Sequence, residues 1–323
     1  MGVIVIPISI SNPLEFLIKF FLLLRFFKGL NLKAIIGWMY LGCVVASIFK
    51  IFLHGNYNLY WSIRQSLSFW QSEKLTTRIV IHLARLLSTC PKKIIYNSNL
   101  AKYQHGEFGF SKKNASFIAN GFDILSKEEI IANRATFRKE FGFKKGDIVV
   151  GMVGRFHPVK GHEIFVKMFQ KTWPDRFPDN LKFILIGEGV PENLKARLPT
   201  FLLEQRRILI IGRRNDAAKI MSSFEALLVT SHAEAFPNVV GEAMAASIPV
   251  ISTDVGDVRL ILPSDRGLFT AGKLDELTSQ IEGFCALSED ERLAWGEQNR
   301  EIVRLRYNIE DVFLSYAKIF GIN

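Results

Sequence analysis

Asp147-Ile-Val-Val-Gly-Met-Val-Gly-Arg-Phe-His-Pro-Val-Lys-Gly-His162 starts as a short apolar run rich in β-branched residues. It breaks at Gly154 into a loop that carries two cations, Arg155 and Lys160. From Lys160 to Lys171 the spacing turns helical, with Ile164, Phe165, Met168 and Phe169 on one stripe. A second apolar run, Leu181–Ile186, closes at Gly187, and Ile208–Ile211, Ala226–Val229 and Pro249–Ser252 repeat the theme. The stretches Ala217–Ser223 and Val239–Ala246 between them read as helices. Continuous apolar strands alternating with amphipathic helices predict a parallel sheet covered on both faces, a doubly wound α/β domain.

Upstream, Val3–Ile8, Ala34–Trp38, Leu59–Ile63 and Lys93–Tyr96 read as strands, and Leu14–Leu32, Leu41–Lys50 and Thr76–Leu87 as helices. The chain therefore divides into an N-terminal α/β domain over 1–125, a polar link over 126–146 and a second α/β domain over 147–307. A last helix over 308–323 has the option of returning to the first domain.

Charge follows this division. Of 41 Lys and Arg and 31 Asp and Glu, 14 basic and only 3 acidic residues precede Gly121, so the whole excess of +10 lies there. An anionic partner for that part is expected: a nucleic acid, a membrane surface or an anionic ligand. No nucleic-acid recognition module accompanies the charge, which puts that partner last. Phe16–Phe27 is apolar but holds Lys19 and Arg25, and falls well short of the ~20 residues a membrane span needs. Leu14–Leu32 suits a helix lying on a membrane surface or one packed on a sheet with its charges reaching water. Cys43, Cys90 and Cys285 are odd in number and far apart, which fits a reducing cytosol and neither a disulfide framework nor a zinc site.

The chemistry concentrates in Ser231-His-Ala-Glu-Ala-Phe-Pro-Asn-Val-Val-Gly-Glu-Ala-Met-Ala-Ala246, which follows a strand and opens a helix at Pro237. The amides of Asn238, Val239 and Val240 should point beyond the strand end, where a helix N-terminus suits a phosphate. Glu234 and Glu242 flank them; carboxylates beside a phosphate site suit the hydroxyls of a sugar or a ribose, or act only on the helix dipole. In an open α/β sheet ligands bind beyond the carboxyl ends of the strands, so Gly154, Arg155 and Lys160 should face the same place. An Arg fork with a Lys point charge is good chemistry for a diphosphate. His157 and His162 lack the Cys or carboxylate pattern of a metal site.

Taken together, these residues resemble the retaining family-4 glycosyltransferases of the GT-B fold. Glu234 and Glu242 match an E-x7-E signature, Arg155 and Lys160 an Arg/Lys pair, Gly212-Arg213-Arg214-Asn215-Asp216 a base-binding turn, and Asn120-Gly121-Phe122-Asp123 an interdomain segment. Arg64-Gln65-Ser66 and Gly37-Trp38-Met39-Tyr40 resemble the bacterial polysaccharide-building branch. The resemblance implies two Rossmann-like doubly wound domains facing a cleft. It implies a sugar moved from a nucleotide-diphosphate donor to a lipid-linked or saccharide acceptor, a polyprenyl diphosphate among them, with retention and without a metal. Arg155 and Lys160 would neutralise the diphosphate, and Glu234 would hold donor-sugar hydroxyls. Glu242 would take the ribose, the amides of Asn238–Val240 phosphate or sugar, and Gly212 and Arg213 the base. Arg64 is the candidate side chain from the N-terminal domain. The implied location is cytoplasmic, peripheral on the inner face of the plasma membrane.

Family members carry a strand, a glycine-rich loop and a further βα unit ahead of the strand that Val3–Ile8 resembles, roughly 50–60 residues at about 30 per βα unit. The N-terminal domain is therefore expected to be incomplete, through a misassigned start, a degraded gene product or a partner chain that completes the sheet. The alternative function is a non-catalytic nucleotide-sugar-binding or assembly subunit.

Overall fold

The computed structural model describes residues 13–30, 32–53, 57–172 and 176–322. The strand expected at Val3–Ile8 lies outside them. Two compact units emerge. One holds the described residues up to Arg64 with Trp70–Tyr96 and Lys102–Phe117; the other holds Gln65–Phe69, Asn97–Ala101 and the described residues from Ile118 on.

The first unit runs α1 (Pro13–Lys28), β1 (Ala34–Trp38), α2 (Met39–Phe52), β2 (Asn58–Ile63), α3 (Leu75–Leu87), β3 (Lys93–Tyr96), all but the first three residues of α4 (Asn99–Phe108), and β4 (Ala115–Phe117). Its four strands pair in parallel in the order β1-β2-β3-β4. Leu59, Tyr60, Trp61 and Ile63 of β2 are all buried, as expected of an inner strand of such a sheet. The α1 helix stops at Lys28 rather than Leu32, because Gly29 turns the chain and its amide donates to the Phe26 carbonyl. Among the described residues no helix is long and apolar enough to cross a membrane.

In the second unit the segment 126–146, expected as a polar link, forms the helix α5 (Lys127–Phe141). A capping box starts it: Ser126 Oγ accepts from the Glu129 amide and Glu129 Oε2 accepts from the Ser126 amide. Glu128 and Glu129 sit in its first turn, Arg138 and Lys139 in its last, and Gly142 ends it at φ 71°. Its polar surface hides two inward rings, Phe137 and Phe141. There follow β5 (Ile148–Val153), α6 (His162–Thr172), β6 (Leu181–Ile186), the short α7 (Val190–Leu194) and α8 (Thr200–Glu204), β7 (Ile208–Ile211) and α9 (Ala217–Ile220). The chain continues through β8 (Ala226–Val229), α10 (Asn238–Ala245), β9 (Val250–Thr253), α11 (Val258–Ile261), β10 (Leu268–Phe269), α12 (Leu274–Ala286), α13 (Glu289–Arg306) and α14 (Ile309–Phe320).

These strands form one parallel sheet ordered β10-β9-β8-β5-β6-β7. Alternate residues feed two cores. Val149, Leu227 and Val229 join Phe137 of α5 and Val240 and Met244 of α10 on one face. Ile148, Val150, Ala226 and Leu228 join Phe165 and Phe169 of α6 and Leu277 of α12 on the other. The terminal helix α14 belongs to this unit: Phe122 and Asn308 form an isolated bridge, and the Ile309 amide donates to the Phe122 carbonyl at 3.1 Å.

An ion-pair network ties α5 to the sheet. Glu225, just before β8, accepts from Arg134 and from Arg138 Nη1 at 3.0 and 3.1 Å, and its Oε2 takes the Val149 amide at 2.6 Å. Removing one partner of a buried pair strands the other charge, at about 3–5 kcal/mol. Glu225→Ala is therefore expected to lower unfolding stability by about that amount, read by urea denaturation; a loss below 1 kcal/mol would show that α5 is held by its two rings alone.

Candidate functional site

The strands leave β5 in opposite directions, β6 and β7 one way and β8, β9 and β10 the other. That reversal is the topological switch point, where a crevice opens beyond the carboxyl ends of the strands. The loops after β5 and β8 both end there, and they are fastened together. Gly161, at φ 63°, meets the Thr230 carbonyl so closely that a Cβ on it would stand 2.0 Å from the oxygen. Thr230 Oγ1 donates to the Lys160 carbonyl at 2.9 Å, and the His232 amide to the Val159 carbonyl at 2.7 Å. His157 caps the turn Pro158–Lys160 by accepting the Val159 amide on Nδ1.

This fastening brings Lys160 and Glu234 together. Lys160 Nζ lies 2.6 Å from Glu234 Oε1, and Ser231 Oγ donates to the same oxygen at 2.8 Å. The pair is mostly buried, so solvent screens it little. Gly154, Lys160, Ser231 and Val239 line one small pocket. Arg155 is exposed and has no ion pair among the described residues.

Pro237 caps α10 in extended conformation rather than forming its first helical residue. The amides of Asn238 and Val239 lie ahead of the first intrahelical bond. That of Val240 does not, contrary to expectation: it donates to the Pro237 carbonyl at 3.1 Å, closing the first tight turn. The side chain of Asn238 accepts from Asn120, and Phe122 lies against Gly241, where a Cβ would come 2.1 Å from the ring. The segment 120–123 thus braces the start of α10. Glu242 is largely buried on this helix, and no hydrogen bond reaches its carboxylate among the described residues. Burial raises its pKa above the ordinary value.

Gly212 has open space where a side chain would stand, and Arg213 beside it is exposed. Arg214 is engaged, bidentate to Asp216 at 2.8 Å and reaching Glu140 at 2.7 Å. These hydrogen bonds raise the Arg214 pKa and lower that of Asp216. Arg64 belongs to the first unit, where its guanidinium stacks on the Trp38 ring at 4.4 Å. Three features escaped sequence reasoning: Ser231 as a donor to Glu234, Thr230 as a staple, and the buried, neutral His162. The glycine after Lys160 was the available signal for the staple.

Residues 147–286 match the family described as glycosyl transferases group 1. Over 208 residues the chain is 26% identical to the N-acetyl-alpha-D-glucosaminyl L-malate synthase of Bacillus anthracis, covering 61% of this chain and 53% of that protein. It is 24% identical over 179 residues to the UDP-Gal:alpha-D-GlcNAc-diphosphoundecaprenol alpha-1,3-galactosyltransferase of Escherichia coli, covering 55% and 46%. The chain thus spans about half the length of these curated relatives. Among solved structures, Anabaena HepE in complex with UDP superposes with a TM-score of 0.77 at 21% identity, over 96% of this chain and 84% of that one. The fold is GT-B, with two Rossmann-like units.

His162 gives this site a pH signature. Burial, with Lys160 nearby, lowers its pKa from 6.5 to about 4. Between those values the unfolded chain binds the proton and the folded one does not, so stability is lost as pH falls through that window. His162→Phe is expected to flatten the fall in urea midpoint from pH 7 to pH 4.5; an identical fall in both proteins would place the acid sensitivity elsewhere.

Proposed function

We propose that the chain is a glycosyltransferase of cell-surface polysaccharide biosynthesis. It moves a hexose-type sugar from a nucleotide-diphosphate donor to a lipid-linked or saccharide acceptor with retention of anomeric configuration. The observation that carries the reading is the Lys160–Glu234 pair at the switch point, beside the start of α10 and the open guanidinium of Arg155. The E. coli relative is named for UDP-Gal and a diphosphoundecaprenol-linked acceptor, which supports a nucleotide donor and a lipid-linked acceptor here.

In this reading Arg155 and Lys160 face the donor diphosphate. As the bond from the sugar to the diphosphate breaks, negative charge grows on the departing oxygen, and fixed cations stabilise it there, commonly the largest contribution to catalysis. No metal is assigned that task. The amides of Asn238 and Val239 add donors at the same place. Glu234 keeps Oε1 on Lys160 and Ser231 and offers Oε2 to a sugar hydroxyl. Glu242 takes the ribose hydroxyls, and Gly212 and Arg213 lie along the base. Arg64, of the first unit, is the candidate side chain of the N-terminal domain.

Lys160→Ala and Glu242→Ala are each expected to cut transfer from UDP- or GDP-sugars by about 10²–10³-fold, with circular dichroism unchanged. Turnover at the native rate in both would overturn the reading, and donor binding without transfer to any acceptor would convert it to a binding subunit. Ribose hydroxyls donate to the ionised form of Glu242, so donor affinity should rise with pH as that raised pKa is passed. Calorimetry from pH 5 to pH 8 reads this dependence, which Glu242→Gln should abolish.

A further inference from the structure

The second unit has another cavity, of about 480 Å³, at the end of its sheet where β5, β6 and β7 begin. Asp147 stands just before β5, Asn180 just before β6 and Arg206 shortly before β7. The six residues of β5 set it roughly 20 Å from the loop that carries Arg155 and Lys160. Lys182 is the unexpected residue of its lining. It is half-buried on β6, between β5 and β7 and opposite Val149, where an inner parallel strand is normally apolar throughout. Residues two apart share a face, so Lys182 stands on the side of Ile184, which is fully buried in the core beneath α5. Phe141, Phe143 and Leu209 of that core also line the cavity.

Arg206 is placed there at a cost. Its backbone lies in the left-handed region, at φ 53°. The amides of Arg206 and Arg207 donate back to the Leu203 and Leu202 carbonyls and close α8, an ending that usually takes glycine. The guanidinium reaches towards Gly142, with Nη1 3.4 Å from where a Cβ would stand. Around the rim the acceptors are engaged and the cations are not. Arg138 donates to the Lys144 and Asp147 carbonyls, Asn180 to that of Gly146, and Arg207 to that of Pro178. Asp147 Oδ2 accepts the Lys144 amide, and Asp179 is paired with Arg207. The side chains of Lys144, Lys182 and Arg206 have no ion pair or hydrogen bond among the described residues.

We infer that this cavity is an anion site for a small phosphorylated molecule. Lys144 and Lys182 present point charges to the phosphate and Arg206 a planar fork, while Phe143 and Leu209 take the body of the molecule. The volume suits such a ligand, since small-molecule pockets span about 300–1,000 Å³. A bound phosphate compensates two costs that the fold carries here, an inner-strand lysine without a partner and a left-handed arginine. The site is independent of the donor reading, because it uses none of the residues assigned to the donor.

Calorimetry with inorganic pyrophosphate and with glucose 1-phosphate tests this, on the full chain carrying Arg155→Ala and Lys160→Ala so that the switch-point crevice contributes little. Binding of one equivalent that weakens at high salt is expected. Adding Lys182→Met should weaken it about tenfold or more. Arg206→Gly should weaken it similarly without lowering the urea midpoint, because glycine adopts the left-handed conformation freely. Lost binding with kept stability separates a missing guanidinium from a damaged fold. Failure of both compounds to bind at millimolar concentration overturns the inference. So does binding that Lys182→Met and Arg206→Gly leave unchanged, and so does affinity lost only in step with the urea midpoint.

Discussion

The ligand face of the second unit depends on one close approach, that of the loop after β5 to the loop after β8. Gly161 makes it possible, because only a residue without a side chain lets the Thr230 carbonyl come so near. Once the two loops touch, Thr230 and His232 fasten them with hydrogen bonds to Lys160 and Val159. Lys160 is then held where its ammonium meets Glu234. The strand order supplies the place, since β5 and β8 are the neighbours at which the winding reverses. The glycine supplies the distance.

Around that contact the charges are sorted by how far their partners have been provided. His162 stays neutral near Lys160, because burial and the neighbouring ammonium both disfavour its imidazolium. In the proposed reading the cations for the diphosphate are therefore Lys160 and Arg155. Backbone contacts fix the loop that carries Lys160, and in the proposed reading that cation needs no rearrangement when a diphosphate arrives.

The strands at 148–153, 181–186, 208–211 and 226–229 were legible as sequence because a parallel strand covered on both faces reads as an unbroken apolar run. Strands β4 and β10, three and two residues long, carry no such run. The α5 helix was read as a link because all but its two buried rings face water or ions. What makes it integral is Glu225, 91 residues beyond Arg134. Spacing along the chain likewise marked Glu234, Glu242, Arg155 and Lys160 as candidates. It gave no sign that Glu234 Oε1 accepts from both Ser231 and Lys160, the latter 74 residues away. The engaged amide of Val240 was hidden for a local reason: Pro237 tightens the first turn instead of joining it.

Three glutamates of this unit, all shielded from bulk water, separate structure from function by saturation. Glu225 accepts from two guanidiniums and a backbone amide, using both oxygens. It behaves as a closed structural node. Glu234 has one oxygen doubly engaged by Lys160 and Ser231, which fixes its orientation; the other, with no donor among the described residues, is the one the proposed reading gives to a sugar hydroxyl. Glu242 has no donor among the described residues, and its raised pKa expresses the cost of keeping it ionised. That cost is absent below the ordinary carboxylate pKa and grows as pH rises through the raised one, so ionising the group destabilises the fold. A carboxylate that stabilised only its own helix would be found at the first turn in water, where the dipole acts without desolvation. Glu242 lies deeper, without compensation, and in the proposed reading the ribose hydroxyls of the donor offset its burial.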